Sequence, residues 1–124
     1  MTAMLDLHDN VVRTFAEACQ LGDIAALRAW LDANATAVCD GGGVVPAALG
    51  QVRGAQDAAQ LVAGLLCGQP DAELTLEAVN GRTGLALRRT GRAVAVVAVG
   101  VARSKVTTVW IVLNPAKLAG WHRC

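Results

Sequence analysis

Residues 71–113 read DAELTLEAVNGRTGLALRRTGRAVAVVAVGVARSKVTTVWIVL, and this stretch decides the fold. Leu74 and Leu76 alternate with polar neighbours, and Leu85 and Leu87 alternate again. That is the period of a strand with one buried face. Asn80-Gly81 lies between the two runs and signals a hairpin, because a type I′ turn needs positive φ at both central residues. Thr90-Gly91 supplies the next turn and Arg103-Ser104 the one after. Ala93 to Ala102 and Val106 to Leu113 then become the third and fourth strands of an antiparallel meander. Asn114-Pro115 stops the sheet, and Ala116 to Trp121 reads as a short closing turn of helix.

One strand breaks the alternation. From Ala93 to Val101 both the odd and the even positions are apolar or small. A strand with one wet face would carry polar residues at every second position. Both faces are therefore expected to be covered, one by helices and the other by a second copy of the chain, which predicts a homodimer through the sheet.

The front half reads as helical. Val11, Val12, Phe15 and Cys19 recur at helical spacing, so a helix is expected over 8–20, with Gly22 as its stop. Asp23 is a natural N-cap for a second helix with Ile24, Leu27, Trp30 and Leu31 as its buried stripe. Ala35 to Cys39 forms a short strand, broken by Asp40-Gly41-Gly42-Gly43, and Pro46 keeps the next segment out of a helix interior. A third helix begins near Ala55, presents Ala58, Leu61, Val62, Leu65 and Leu66 on one face, and ends at Gly68 and Pro70.

Composition agrees with one globular domain over residues 1–124. Apolar residues make up 54% and charged residues 17%, ample for a core. The net charge of +1 is unevenly spread: residues 1–52 carry two basic and six acidic groups, residues 53–124 nine and four. The N-terminus lacks the basic and apolar regions of a secretory signal, and the uncharged run Ala93 to Ala102 is too short for a membrane helix, which needs about 20 residues. Cys19, Cys39 and Cys67 fall in apolar runs and Cys124 is terminal; none forms a C-x-x-C pair. That pattern predicts core packing in a reducing cytoplasm, with no metal site and no cofactor.

The order helix, helix, strand, glycine-rich loop, helix and four-strand meander resembles the nuclear-transport-factor-2-like superfamily. Asp40-Gly41-Gly42-Gly43, Val45-Pro46-Ala47-Ala48, Val52-Arg53-Gly54, Val79-Asn80-Gly81-Arg82-Thr83-Gly84-Leu85, Gly91-Arg92 and Asn114-Pro115-Ala116-Lys117-Leu118 occur in one order. Together they are similar to the SnoaL-like domain at the C-terminus of a group of actinobacterial extracytoplasmic-function sigma factors, from about Phe15 to Trp121. The resemblance implies an α+β, cone-shaped, cystatin-like fold with helices packed on a curved antiparallel sheet. It also implies a role in transcription regulation, as an excised accessory domain or a free-standing relative. The promoter-reading helices of a sigma factor are not among these residues, so promoter binding is not carried over. The chain also has Ala102-Arg103-Ser104-Lys105 where the family often has an acidic turn, and Asn-Pro-Ala-Lys where it often has Asn-Pro-Asp-Lys.

Candidate chemistry is sparse. Asp40 either makes a turn with the glycines after it or, at the cone mouth that the resemblance implies, acts as a general base. An isomerase or cyclase would also need a donor to a developing oxyanion, and the chain has no Tyr. His8 and His122 lie near the termini. Gly41-Gly42-Gly43 lacks the Lys-Ser or Lys-Thr of a phosphate loop. Arg82, Arg103 and Lys105 belong at one end of the meander and Arg88, Arg89 and Arg92 at the other, as solvated turn charges without interleaved aromatics, so no direct nucleic-acid binding is expected.

Trp30, Asp40, Leu61, Leu65, Val97, Val99 and Trp110 are the candidate lining of a pocket for an apolar small molecule. Three readings follow: a non-catalytic regulatory or ligand-binding domain, with a sigma factor or other protein as possible partner; an isomerase or cyclase using Asp40; or a plain dimerisation module.

Overall fold

The computed structural model describes residues 2–40, 51–67, 71–79 and 81–113, with side chains from His8 onward. Helix α1 (Thr2–Leu21) and helix α2 (Ile24–Trp30) lead into strand β1 (Leu31–Asp40). Strand β2 (Gln51–Arg53) and helix α3 (Ala55–Leu66) follow, then the meander β3 (Ala72–Val79), β4 (Arg82–Arg89), β5 (Arg92–Ala102) and β6 (Lys105–Val112). The six strands form one sheet in the order β2-β1-β6-β5-β4-β3. Every pairing is antiparallel except β1 with β6, which is parallel.

Local chemistry explains the boundaries. Gly22, at φ +67°, closes α1: its N–H donates to Cys19 O at 3.1 Å and that of Asp23 donates to Ala18 O at 3.1 Å, the paired bonds of a Schellman cap. Asp23 then starts α2 by accepting the Ala26 N–H at 3.0 Å. Lys105 Nζ donates to the Ala29 carbonyl, a cation at the negative end of that short helix. Gly54, at φ +102°, turns β2 into α3 and donates to Ala35 O at 2.8 Å.

The turns of the meander follow the sequence reading. Val79 pairs with Arg82 across Asn80-Gly81, and Gly81 is at φ +82°; Asn80 lies outside the described residues. Thr90 and Gly91 are at φ +50° and +80°, and Arg103 and Ser104 at +54° and +65°, so both of these links carry the two left-handed residues of a type I′ turn.

The first helix is longer than the expected 8–20, and the first strand longer than Ala35 to Cys39. Leu31, expected on the stripe of α2, is instead the first residue of β1, buried against the same core. β2 is too short to show a periodicity and was not foreseen. The expected Gly-rich break at 41–43, Pro46, the α3 stop at Gly68 and Pro70, and the closing helical turn from Ala116 lie outside the described residues. Among the described residues, no helix is long and apolar enough to cross a membrane.

The helices cover one face of the sheet. Phe15, Leu27 and Val62 from the helices meet Leu85, Val97, Val109 and Ile111 from the strands, all fully buried in one cluster. This cluster is the main core. It supplies the burial that makes short helices such as α2 stable.

Candidate functional site

β5 is buried on both sides, as its composition requires. Ala95, Val97 and Val99 join the main core, while Ala93 and Val96 join Val79 and Ala86 in a second, smaller apolar cluster. Adjacent residues of a strand point to opposite faces, so Val96 and Val97 mark the outer face and the helix-covered face. Ala98 and Val112 pack against the outer cluster.

The outer face holds a depression of about 580 Å3. Val79, Val96, Ala98 and Val112 give it apolar walls, and Trp110 and Arg82 line it as well. Trp110 sits mid-strand on β6, between Val38 on β1 and Ala98 on β5, yet is 48% exposed. An indole in the middle of a sheet, next to small side chains and open to solvent, is an apolar surface without a polar rationale of its own.

Arg82 is held in place from behind. Its Nη2 donates to His8 Nδ1 at 3.1 Å, and His8 Nε2 donates to Thr83 O at 2.9 Å. The two contacts suit the tautomer that carries its proton on Nε2, since the nitrogen facing a guanidinium must accept. His8 is buried, so α1 anchors Arg82, which among the described residues is the charged side chain that lines the depression. His8 was set aside in the sequence because it lies near the terminus; a contact across 74 residues leaves no local signal.

The seven candidate residues do not share one cavity. Trp30 packs half-buried against the main core, and Val97 is fully buried within it. Val99 is buried in the same core and also reaches the edge of the outer depression. Leu61 and Leu65 line a separate depression of about 390 Å3 on α3, with Val52 and Asp57. Asp40 and Trp110 lie on the outer face. Asp40 pairs with Val112, and in β1 the buried residues Ala35, Ala37 and Cys39 alternate with Thr36, Val38 and Asp40. The half-buried Asp40 therefore lies on the outer face of β1, not on the helix-covered one.

A bulge explains why Trp110 and Val97 part company. The two-residue turn pairs Ala102 with Lys105, and simple counting from there would set Trp110 opposite Val97. The register shifts between Gly100 and Val101, so Trp110 pairs with Ala98. One extra residue moves every later side chain of β6 to the other face. The outer-face partners Val96, Ala98 and Val112 could have been read from strand alternation around Trp110, had this shift been visible.

The basic residues also needed correction. Arg88 is not a solvated turn charge: it is only 5% exposed, and its Nη1 donates to Glu77 Oε2 at 2.9 Å and Thr75 Oγ1 at 3.1 Å. Thr75 in turn donates to Glu77 at 2.7 Å, which completes a small buried ionic network between β3 and β4. Burial and the charge of Asp40 push the Cys39 thiol up, away from reactivity. Among the described residues, no three His, Cys, Asp or Glu side chains gather as metal ligands.

No family model and no curated protein matches the sequence. Solved structures do match. The chain is similar to the Mycobacterium tuberculosis extracytoplasmic function sigma factor SigJ, at 24% identity and a TM-score of 0.66, over 92% of this chain and 44% of the sigma factor. The chain thus spans less than half of that protein. An NTF2-like protein of unknown function from Mesorhizobium loti matches at 20% identity and a TM-score of 0.64, over 89% of this chain and 93% of the other. An LEH-like epoxide hydrolase of M. tuberculosis matches at 14% identity and a TM-score of 0.56, over 96% and 91%. These likenesses span unlike activities, so they speak to architecture and not to chemistry. Among the described residues, three helices lie on a six-stranded, unclosed sheet, and with matches over 92% and 89% of the chain this gives it the NTF2-like, SnoaL-like α+β fold.

Proposed function

We propose that this chain is a non-catalytic accessory domain of cytoplasmic transcription regulation that works by binding through the outer face of its sheet. Two copies pair across that face, and the depression beside Trp110 takes an apolar small molecule or a segment of a sigma factor or other partner protein. The observation that carries this reading is Trp110, exposed mid-strand in a depression walled by valine and alanine.

Size supports the pairing. Six strands about 4.8 Å apart, averaging about eight residues at about 3.3 Å, make a face of roughly 750 Å2. One side of a standard protein interface is about 800 Å2. The apolar-ligand reading attaches to the outer depression, because Phe15, Val97 and Ile111 occupy the space between helices and sheet. A non-catalytic role suits a chain without Tyr, in which Asp40 lies on the outer face of the sheet and not among the residues under the helices. The sigma factor of similar fold supports the regulatory context.

The test is mass by light scattering and by native mass spectrometry, on the chain and on Trp110→Asp. A dimer that becomes a folded monomer on substitution is expected, and a discrete extra mass on the native protein would identify the ligand. A monomer at tens of micromolar would overturn the pairing.

A further inference from the structure

The depression on the outer face has a direction. Val96 pairs with Val112, Ala98 with Trp110 and Gly100 with Thr108, and all six residues line it. They are alternate residues of β5 and β6, so the depression is a trough that follows two strands. From Val96 to Gly100 it runs roughly 13 Å, at about 3.3 Å per residue. One end is purely apolar, with Val96 and Val112. The other end holds the Thr108 hydroxyl and Arg82: counting back along β4 from Leu85, which pairs with Val97, sets Arg82 opposite Gly100. Gly100 has no side chain to fill this end, where a Cβ would stand 3.4 Å from Thr108 Cβ.

The cation at this end is positioned. Arg82 is exposed, but its Nη2 donates to Nδ1 of the buried His8 at 3.1 Å, and the His8 ring is itself tied to Thr83 O at 2.9 Å. A guanidinium carries five N–H donors in a planar fork, and the contact to His8 occupies one of its nitrogens. Among the described residues that line the trough there is no carboxylate, so the charge of Arg82 is not balanced within it. A guanidinium already held on one side loses less freedom when it takes an anion, and its fork matches a carboxylate. The volume of about 580 Å3 lies in the range of small-molecule sites, about 300 to 1,000 Å3. An apolar floor with one cation at one end complements a molecule with an apolar body and a single anionic head. It does not suit a polyanion, which would lay further charges over Trp110 and the valines.

We propose that the trough binds an apolar monocarboxylate, with its head on Arg82 and Thr108 and its body along Ala98 and Trp110 toward Val96 and Val112. The proposal rests on the reading of the outer face as the binding face and narrows its small molecule to one chemical class. Arg82 sets the preference for an anion, His8 is the positioning residue behind it, and Trp110 supplies the apolar contact. A second copy laid across the face covers the trough and shields the ion pair from water, which strengthens it.

The experiment titrates the whole chain, labelled with nitrogen-15, with octanoate and with 1-octanol, which has the same chain and no charge, both below the concentrations at which they aggregate. The readout is the Trp110 indole N–H resonance, assigned with Trp110→Phe. Octanoate is expected to shift it with a dissociation constant at least about tenfold below that of 1-octanol, as a charge-assisted hydrogen bond provides. Arg82→Gln, a change at an exposed position, is expected to remove that preference and leave 1-octanol binding unchanged. Equal affinity for the two probes, octanoate binding that persists undiminished in Arg82→Gln, or a Trp110 resonance that responds to neither probe would each overturn the proposal. Light scattering on the same samples separates this from the pairing: a dimer without a preference for octanoate overturns the anionic head and leaves the outer face as the binding face.

Discussion

The two faces of the sheet are built from similar residues and are covered differently. The helix-covered face meets Phe15, Leu27 and Val62, all fully buried. The outer face is nearly as apolar, with Val79, Val96, Ala98 and Val112, but it carries a half-exposed Trp110, a shallow depression and the buried pair of Arg88 and Glu77. Apolar content alone does not tell a core from a docking surface. What separates them is whether large side chains from another element complete the packing.

Substitutions sharpen this contrast, and the largest effect belongs on the filled face. Phe15→Ala is expected to cost about 4 kcal/mol of stability, through lost burial and the cavity left behind, as measured by denaturant unfolding. A loss below about 1 kcal/mol would mean that the layer under the helices is loosely packed and has room for a ligand after all.

On the outer face the ionic network comes next. Glu77→Ala removes the carboxylate that faces the buried Arg88 guanidinium and is expected to cost about 3 kcal/mol. Replacing both partners, Glu77→Leu with Arg88→Met, is expected to be nearly neutral, since apolar groups of similar size replace a desolvated pair. A double variant as unstable as the single one would show that the network is needed for more than its own satisfaction.

Gly84 probes how tightly β4 sits against its neighbours. A Cβ there would lie 2.3 Å from Val97 O and 2.8 Å from a Val79 methyl, and the first of these is backbone that has no freedom to rotate away. Gly84→Ala is expected to cost about 2 kcal/mol by overpacking. A neutral result would mean that the sheet edge gives way easily.

How much of this was legible in the sequence depends on whether the governing interaction was local. Turns are local, so Thr90-Gly91 and Arg103-Ser104 marked the meander, and Gly22-Asp23 marked the break between α1 and α2. The apolar run of β5 announced apolar packing on both sides, and its residues do join two clusters; the second copy expected over the outer one is part of the proposal. The parallel pairing of β1 with β6 joins residues more than seventy positions apart, and the sequence reading, which expected an antiparallel sheet, did not foresee it. The site was less legible than the fold. Trp110 and Val97 looked like neighbours in one lining until a single-residue bulge turned them to opposite faces, and Leu61 and Leu65 followed α3 to a surface of their own. The links from Arg82 to His8 and from Arg88 to Glu77 depend on which strands and helices meet, which no window of sequence displays.

The account stands or falls on the outer face, and the most direct measurement is light scattering across a concentration series of the chain and of Trp110→Asp, with circular dichroism to confirm that both are folded. The account predicts a dimer for the chain at tens of micromolar and a folded monomer for the variant, its dissociation constant raised at least about thirtyfold, as expected for a buried tryptophan anchor. A chain that stays monomeric throughout, or a variant that dimerises as well as the original, would contradict it.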